Sequence, residues 1–555
     1  MTQAHESDHD HERAPYAEAL RRHAAQDPLM FMVPGHAATP TGMSRELADF
    51  AGERALRHDI PQLVDGIDSG VGSPLDQAVA LAADAWSAKR AWFLANGSSQ
   101  GNRMAVIAVG SGAGGAGGGS VGGGDGGAGG GGSVGGGDGG GAGGAVVAQR
   151  SAHSSFLDGL VVTGLAPEWA FPEFDELHGI NHGLTSASLE ASFARALANG
   201  ERPRAAYVIS PSYFGAVADI PGLAAVAHAH GVPLIVDAAW GAHFGFHEEL
   251  PEFPTRLGAD IVVTSTHKMG GSLGQSAMLL LAEGPFAGPL EPALERAFNL
   301  TQTTSASSLL LGSLDIARRS LVLETERIGE SVARAERLRA LIREHAQLTL
   351  VSDEFSRFPS VVRGDPLRVS VGLSRTAVSG YEMRAELARS HGILLEIATS
   401  AAVVAFLGPG KELDVDRLFT AMTEVLERAG DRPAAQPALP LPAPGPRRMT
   451  PRAAYFAATE VVPAEQAVGR VSADALAAYP PGIPNIAPGE EITGEAIAFL
   501  REIAASPIGF VRGALDPDVS RLRVVAGPDR PDSGGAGGAG GAARGFAPDG
   551  PAVVS

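Results

Sequence analysis

One amino acid is missing from this 555-residue chain altogether: there is no cysteine. Disulfides, thiolate nucleophiles and cysteine-ligated metals are thereby excluded, and a reducing compartment is the natural setting. Positive charge is also scarce. Against 62 Asp+Glu stand 43 Lys+Arg, a formal net charge of −19, and a field of that sign opposes non-specific binding to nucleic acid or anionic membrane. Long apolar runs are lacking too. The most apolar segments, such as SAMLLLAEGPFAG, fall short of the ~20 residues that cross a bilayer. The N-terminal stretch MTQAHESDHDHERAPYAEALRRHAA has no apolar h-region of the kind a signal peptide needs. Together these absences predict a cytoplasmic protein with no nucleic-acid partner and no membrane partner. What the chain does have is core-forming material, 44% hydrophobic against 19% charged, which suits a globular fold. Its length predicts two or more domains.

Residues 1–75 read as an N-terminal helix and an extended arm. Over 76–312, short apolar runs alternate with helical patterns. AAYVIS (205–210), VPLIVDA (232–238), DIVVTST (260–266) and SAMLLLA (276–282) are strand candidates, and GLAAVAHAHG (222–231) is a helix between two of them. Strands apolar on both faces and separated by helices predict a mostly parallel sheet covered on both sides. Residues 110–144 interrupt this pattern with Gly, Ala, Ser and Asp, and SVGGGDGG occurs at 120–127 and again at 133–140. Calcium-binding β-helix repeats need a regularly spaced aliphatic residue per turn, and only Val121 and Val134 are present. A flexible surface insertion between a helix (102–109) and a strand (145–149) is therefore expected, and no metal site. Longer amphipathic helices dominate 313–431, a small α/β domain. A Pro-rich linker follows at 432–446, a smaller module at 447–527, and a tail at 528–555 without core-forming content.

Four segments carry candidate chemistry. In VTSTHKMGG (263–271) a strand exits into a loop bearing Ser265, His267 and Lys268. Open α/β sheets bind ligands beyond their strand ends, and a partly deprotonated lysine there can form a Schiff base with a carbonyl; a solvated surface lysine is the plain alternative. About thirty residues upstream, IVDAAWGAHFGFH places Asp237 at the end of an apolar strand. An unpaired carboxylate is costly there, and a protonated pyridine nitrogen is one partner that would justify it; a helix cap or salt bridge is another. Spacing by two puts Ala239 on the same strand face. FLANGSSQGN (93–102) reads as a strand, a Gly/Ser turn and a helix, so Ser98 and Ser99 could cradle a phosphate, or simply cap the helix. In AVVAQRSAHSSFLDGL (145–160), His153 opens a helix where an imidazole could stack on a cofactor ring or serve as a cap.

The order PGH (34–36), NGSSQGN, QRSAHSS, PSYFG (211–215), VDAAWGAHFGFH and STHK resembles the Orn/Lys/Arg decarboxylase family. MTPRAAYFAATE (449–460), AVGRVSA (467–473) and YPPGIPNIAPGE (479–490) resemble that family's C-terminal domain. The resemblance implies the aspartate-aminotransferase-like fold of type-I pyridoxal-phosphate (PLP) enzymes. That means a mostly parallel seven-stranded sheet with helices on both faces, plus small α+β C-terminal domains, in the short form without a wing domain. It also implies PLP as cofactor, with Lys268 as the Schiff-base lysine, Asp237 as the pyridinium partner and His153 as the stacking residue beside Ala239. Ser98, Ser99, Ser265 and His267 match phosphate-binding positions. TTSASS (303–308) resembles a segment that completes a neighbouring subunit's phosphate site, which implies a homodimer or higher homo-oligomer with the active site at the subunit interface.

The chain departs from the family at three places. PGHAATP stands for the usual PGHKGG, Asp237-Ala238-Ala239-Trp240 for DEAH, and GIDSGVGSP for the LH-x-P pattern near residue 68. The implied activity is decarboxylation of lysine, ornithine or arginine to the amine, a polyamine precursor, with His267 or Lys268 returning a proton to Cα. The alternatives are another PLP reaction, such as transamination or side-chain elimination, and a non-catalytic PLP-binding protein.

Overall fold

The computed structural model describes residues 10–61, 64, 66–113, 144–430, 441–479, 483–505 and 509–527. Most of the Gly-rich insertion, residues 431–440 before and within the Pro-rich stretch, Pro480 to Gly482 of the YPPGIP run, and the tail lie outside the described residues.

Seven strands form the central sheet: β1 (Arg90–Leu94), β2 (Gly144–Gln149), β3 (Ala166–Ala170), β4 (Arg202–Ile209), β5 (Leu234–Asp237), β6 (Ile261–Thr264) and β7 (Ala277–Leu281). Their order is β1-β7-β6-β5-β4-β2-β3. Only β7 runs antiparallel to its neighbours. The apolar runs are buried on both faces because successive side chains alternate. Leu234 and Val236 of β5 join one core cluster while Ile235 joins the other, and Val262 of β6 points away from Ile261 and Val263.

Helices cover both clusters, as the apolar pattern predicts. The first is buried by α1 (Pro15–Ala25), α2 (Pro74–Ala85), and two helices that alternate with strands further on. The second is buried by α3 (Gly97–Ala108), α4 (Ser154–Thr163) and the helix Ala287–Thr301. The approach of α3 to the sheet is close: a Cβ on Gly101 would lie 2.6 Å from Val263 Cγ1. Only glycine fits at that position.

The region beyond Ser308, read as a small α/β domain, holds an antiparallel sheet whose individual strands the helical pattern did not locate. It comprises β8 (Thr349–Leu350), β9 (Arg368–Gly372), β10 (Ile397–Ala398) and β11 (Ala402–Phe406), ordered β8-β9-β11-β10. Strands of two to five residues give too short a period-2 signal to stand out beside long helices. The C-terminal region has its own core. There β12 (Thr459–Pro463) pairs with β16 (Arg521–Val525), and β13 (Leu476–Tyr479) lies between β14 (Ile483–Ile486) and β15 (Phe510–Arg512). The N-terminal arm is not wholly extended. It carries short helices at Arg45–Ala51 and Glu53–His58, while the buried Asp315 carboxylate ties down α1 by accepting the Tyr16 N–H at 3.0 Å. Among the described residues, no helix is long and apolar enough to cross a membrane.

Candidate active site

The parallel strands all deliver their C-terminal ends to one edge of the sheet, where the chain turns into helices. A cavity of about 210 Å³ opens there. Its walls include all eight residues singled out from sequence: Ser98, Ser99, His153, Asp237, Ala239, Ser265, His267 and Lys268. They come from four separate segments, so only the folding of the sheet brings them together.

One end of the cavity is built around Asp237, the last residue of β5 and 4% exposed. Its Oδ2 accepts Asn102 Nδ2 at 2.9 Å and the Tyr207 hydroxyl at 2.8 Å, and its Oδ1 accepts the Ala239 N–H at 3.0 Å. Three donors make a buried carboxylate tolerable. Burial, reinforced by the Asp237 charge, raises the Tyr207 pKa well above the usual value, so the phenol keeps its proton and donates. The strand stops at Asp237, so Ala239 reaches the cavity from a turn, not from the strand face that a spacing of two suggested.

The other end is the start of α3. The chain bends at Ala95 and Asn96 and the helix begins at Gly97, so Ser98 and Ser99 occupy its first turn. There the backbone N–H groups have no intrahelical acceptors. Ser265 Oγ donates to Ser98 Oγ at 2.6 Å, joining the exit of β6 to the helix N-terminus. Unpaired N–H groups and short hydroxyls are an anion cradle.

Between the two ends lie His153, His267 and Lys268. His153 caps α4: its Nδ1 accepts the Ser155 N–H at 3.2 Å and lies 2.9 Å from Ser155 Oγ. Asn102 Nδ2 also donates to Ser155 Oγ at 3.1 Å, so one amide links the Asp237 carboxylate to the His153 cap. Burial lowers the His153 pKa, with Lys268 and Arg512 pushing the same way against Asp237 and Asp158. His267 Nδ1 lies 2.8 Å from the Ser276 carbonyl. A carbonyl only accepts, so Nδ1 carries the proton; burial lowers this imidazole's pKa as well, which leaves Nε2 bare. Burial is likewise the main cause that brings the Lys268 amine down to about 8, with Arg368 assisting and Asp237 and Glu396 opposing.

Several participants escaped the sequence reading. Asn102 and Tyr207 lie in quoted segments, but their side chains carry no motif signal, because their role follows from strand adjacency. Trp240, read as a departure, is 7% exposed, and the Lys268 ammonium lies 4.0 Å from its ring centroid. Behind it Phe406 stacks at 4.8 Å. The buried Arg368 guanidinium, 4.9 Å from the Trp240 centroid, donates to the carbonyls of Ser212, Tyr213 and Trp240. TTSASS does not line this cavity.

Comparisons with known proteins identify the family. A family model described as "Orn/Lys/Arg decarboxylase, major domain" matches residues 14–114 and 139–358, and one described as "Orn/Lys/Arg decarboxylase, C-terminal domain" matches 433–508. An arginine decarboxylase of Bacillus subtilis is 32% identical over 522 residues, 92% of this chain and 97% of the relative. One from Halalkalibacterium halodurans is 30% identical over 520 residues, 93% and 98% of the two chains. Among solved structures, the Francisella novicida lysine decarboxylase LdcF superposes with a TM-score of 0.73 at 17% identity, covering 92% of this chain and 81% of that one. The E. coli constitutive lysine decarboxylase gives 0.70 at 20%, covering 93% and 82%. The fold is therefore that of these lysine decarboxylases, and the chain belongs to the Orn/Lys/Arg decarboxylase family.

Proposed function

We propose that the protein is a PLP-dependent decarboxylase of a basic amino acid, with arginine the first substrate to test. The observation that carries this reading is the donor set of a single cavity. A triply hydrogen-bonded carboxylate stands at one end, a helix N-terminus with serine hydroxyls at the other, and a lysine of lowered pKa between them. That set fits PLP: Ser98, Ser99 and Ser265 would hold the phosphate, Asp237 would take the ring N–H, and Lys268 would reach the aldehyde. Bound there, PLP supplies the electron sink for the pair left on Cα when CO2 departs.

The remaining work falls to the chain. His153 and Ala239 both line the cavity, from which they would bracket a flat ring. A Lys268 pKa of about 8 leaves an appreciable unprotonated share near neutral pH, as a nucleophilic amine requires. The same amine is the better carrier of the proton returned to Cα. His267 has its Nδ1 proton committed to Ser276 and a lowered pKa, so it holds no spare proton to give. Trp240, backed by Phe406, forms an apolar wall beside the amine and keeps water from the reacting carbon. Glu396, whose negative charge is felt by both Lys268 and His267, supplies the field that a guanidinium or ammonium side chain of the substrate would seek. Relatives named arginine decarboxylase at 29–32% identity favour the guanidinium.

The proposal includes a homodimer. Large apolar side chains of the arm stand open to solvent, among them Phe31 at 97% and Phe50 at 90%, more than a monomer usually exposes in one segment. TTSASS, which does not line its own chain's cavity, would help complete the partner's. The proposal also keeps the division into regions at about 76–312, 313–431 and 447–527, and places the cysteine-free chain in the cytoplasm. The test is CO2 release from arginine, lysine and ornithine by the PLP-reconstituted protein, alongside Lys268→Ala. Release from at least one substrate, lost in the variant, is the expected result; keto-acid formation without CO2 would overturn the reading.

A further inference from the structure

Two segments quoted from sequence for separate reasons meet in the interior. QRSAHSS carries the candidate ring-stacking histidine, and PNIAPGE closes the most distinctive run of the C-terminal region. Arg150, the first residue beyond β2, donates Nη1 to Glu490 Oε1 at 2.8 Å and Nη2 to Glu490 Oε2 at 2.8 Å. The two side chains are 9% and 3% exposed. Each carboxylate oxygen also has a second donor. Arg150 Nη2 also donates to the Asn485 carbonyl at 3.1 Å, Trp169 Nε1 donates to Glu490 Oε1 at 2.9 Å, and the Ala487 N–H donates to Glu490 Oε2 at 2.8 Å. The guanidinium carbon lies 4.7 Å from the Trp169 ring centroid.

A buried ion pair is a poor way merely to glue two regions together, because apolar side chains of the same size do that without desolvating two charges. What a bidentate fork adds is orientation: both carboxylate oxygens and both guanidinium nitrogens must be in place at once. The element being oriented here is the turn between β2 and α4. Arg150 is followed at once by Ser151, and His153 comes two residues later; both line the cavity. The same turn is held from below by Gln149, whose Nε2 donates to Ser151 Oγ at 2.8 Å and to the His182 carbonyl at 3.2 Å. From above it has the Arg150–Glu490 fork. The C-terminal region also reaches this place electrostatically. Arg512, on β15 of the same small sheet as Asn485, acts on the His153 imidazole.

We propose that Arg150 and Glu490 are positioning residues of the active site: their fork makes the C-terminal region a part that fixes where His153 stands and how close Arg512 comes to it. The inference rests on the cofactor reading for what His153 faces, but not for the latch itself. Opening the fork lets the turn relax and Arg512 withdraw, while Asp237, Lys268 and Asp158, which also face the imidazole, stay on their own elements. Two of the causes that hold the His153 pKa down then weaken together.

The experiment compares Glu490→Gln, Arg150→Lys, the double variant and Trp169→Phe with the parent, in the full chain. Two readouts are followed: the His153 ring titration by NMR on cofactor-free protein, and kcat and KM on PLP-reconstituted protein. Glu490→Gln and Arg150→Lys are expected to raise the His153 pKa toward its ordinary value. They should also lower kcat by about tenfold while KM changes by less than about threefold. The double variant should be no worse than the poorer single one, because the two residues act as a unit. Trp169→Phe keeps the pair but removes one donor, and should move both readouts the same way by a smaller amount; it decides the matter by the same criteria if Glu490→Gln fails to fold. An unmoved titration with unchanged kcat, or a rise in KM alone, would overturn the proposal. Parent protein that releases no CO2 would sink the decarboxylase reading and leave the titration to judge the latch.

Discussion

The two ends of the cavity are built on opposite terms. At the Asp237 end, the protein supplies its own donors: Asn102, Tyr207 and the Ala239 N–H already bond the carboxylate deep in the core. At the serine end it holds donors in reserve, since α3 starts at Gly97 with no side-chain cap and Ser98 and Ser99 are only half-buried. On the proposed cofactor reading, the difference follows from what each end would meet. A carboxylate inside an apolar sheet is costly unless bonded, and the charge it keeps is what would hold a pyridine ring protonated. An anion cradle has the reverse need, because N–H groups spent on the chain itself are not available for a phosphate.

Substitutions at the two ends, and at the amine between them, should therefore differ in kind as well as size. Lys268→Ala removes the covalent anchor and is expected to cost at least about 10³-fold in CO2 release, measured by a coupled assay; residual activity near the parent level would remove the basis of the comparison. Asp237→Asn keeps shape and loses charge. It should lower kcat by roughly 10²–10³-fold with PLP still bound, a split visible by comparing kcat with cofactor content. Tyr207→Phe and Asn102→Ala each withdraw one donor from the same carboxylate and should cost about tenfold in kcat, with the pair less than additive. At the serine end, Ser98→Ala should leave kcat of the loaded enzyme nearly intact and weaken PLP binding by about tenfold, read by equilibrium titration. If Ser98→Ala lowered kcat and Asp237→Asn lowered cofactor affinity instead, the assignment of the two ends would be reversed.

The smallest effect belongs to the amine itself. Below its pKa of about 8 Lys268 is mostly protonated and cannot attack a carbonyl. The rate of PLP uptake by cofactor-free protein should rise about fivefold from pH 7 to pH 8 and level off above it, measured by stopped-flow absorbance. A rate that kept rising toward pH 10.5 would mean that burial does not lower this lysine.

Trp240 illustrates how far sequence reading reached. As letters, Asp237-Ala238-Ala239-Trp240 looked like the loss of a polar pair beside the cofactor. In the fold the indole fills that place, with Lys268 against its ring and Arg368 and Phe406 behind it. Arg368 could not have been found from sequence at all. It lies on β9 about a hundred residues after Lys268, and reaches the site only because two sheets meet there.

The sequence by itself determined the covered sheet, through apolar runs too uniform for a one-faced strand. It also singled out Lys268, Asp237, His153 and the serines as candidates, each with a plain alternative when taken alone and a role only through the family resemblance. Tertiary structure alone decided which groups satisfy Asp237, how far the Lys268 pKa falls, and that a glutamate 340 positions away grips Arg150. The physical reason is the range of the forces. Alternation and helix starts are written in neighbouring residues, whereas hydrogen bonds to a buried charge and the loss of water around an amine depend on segments that only the finished sheet brings within a few ångströms.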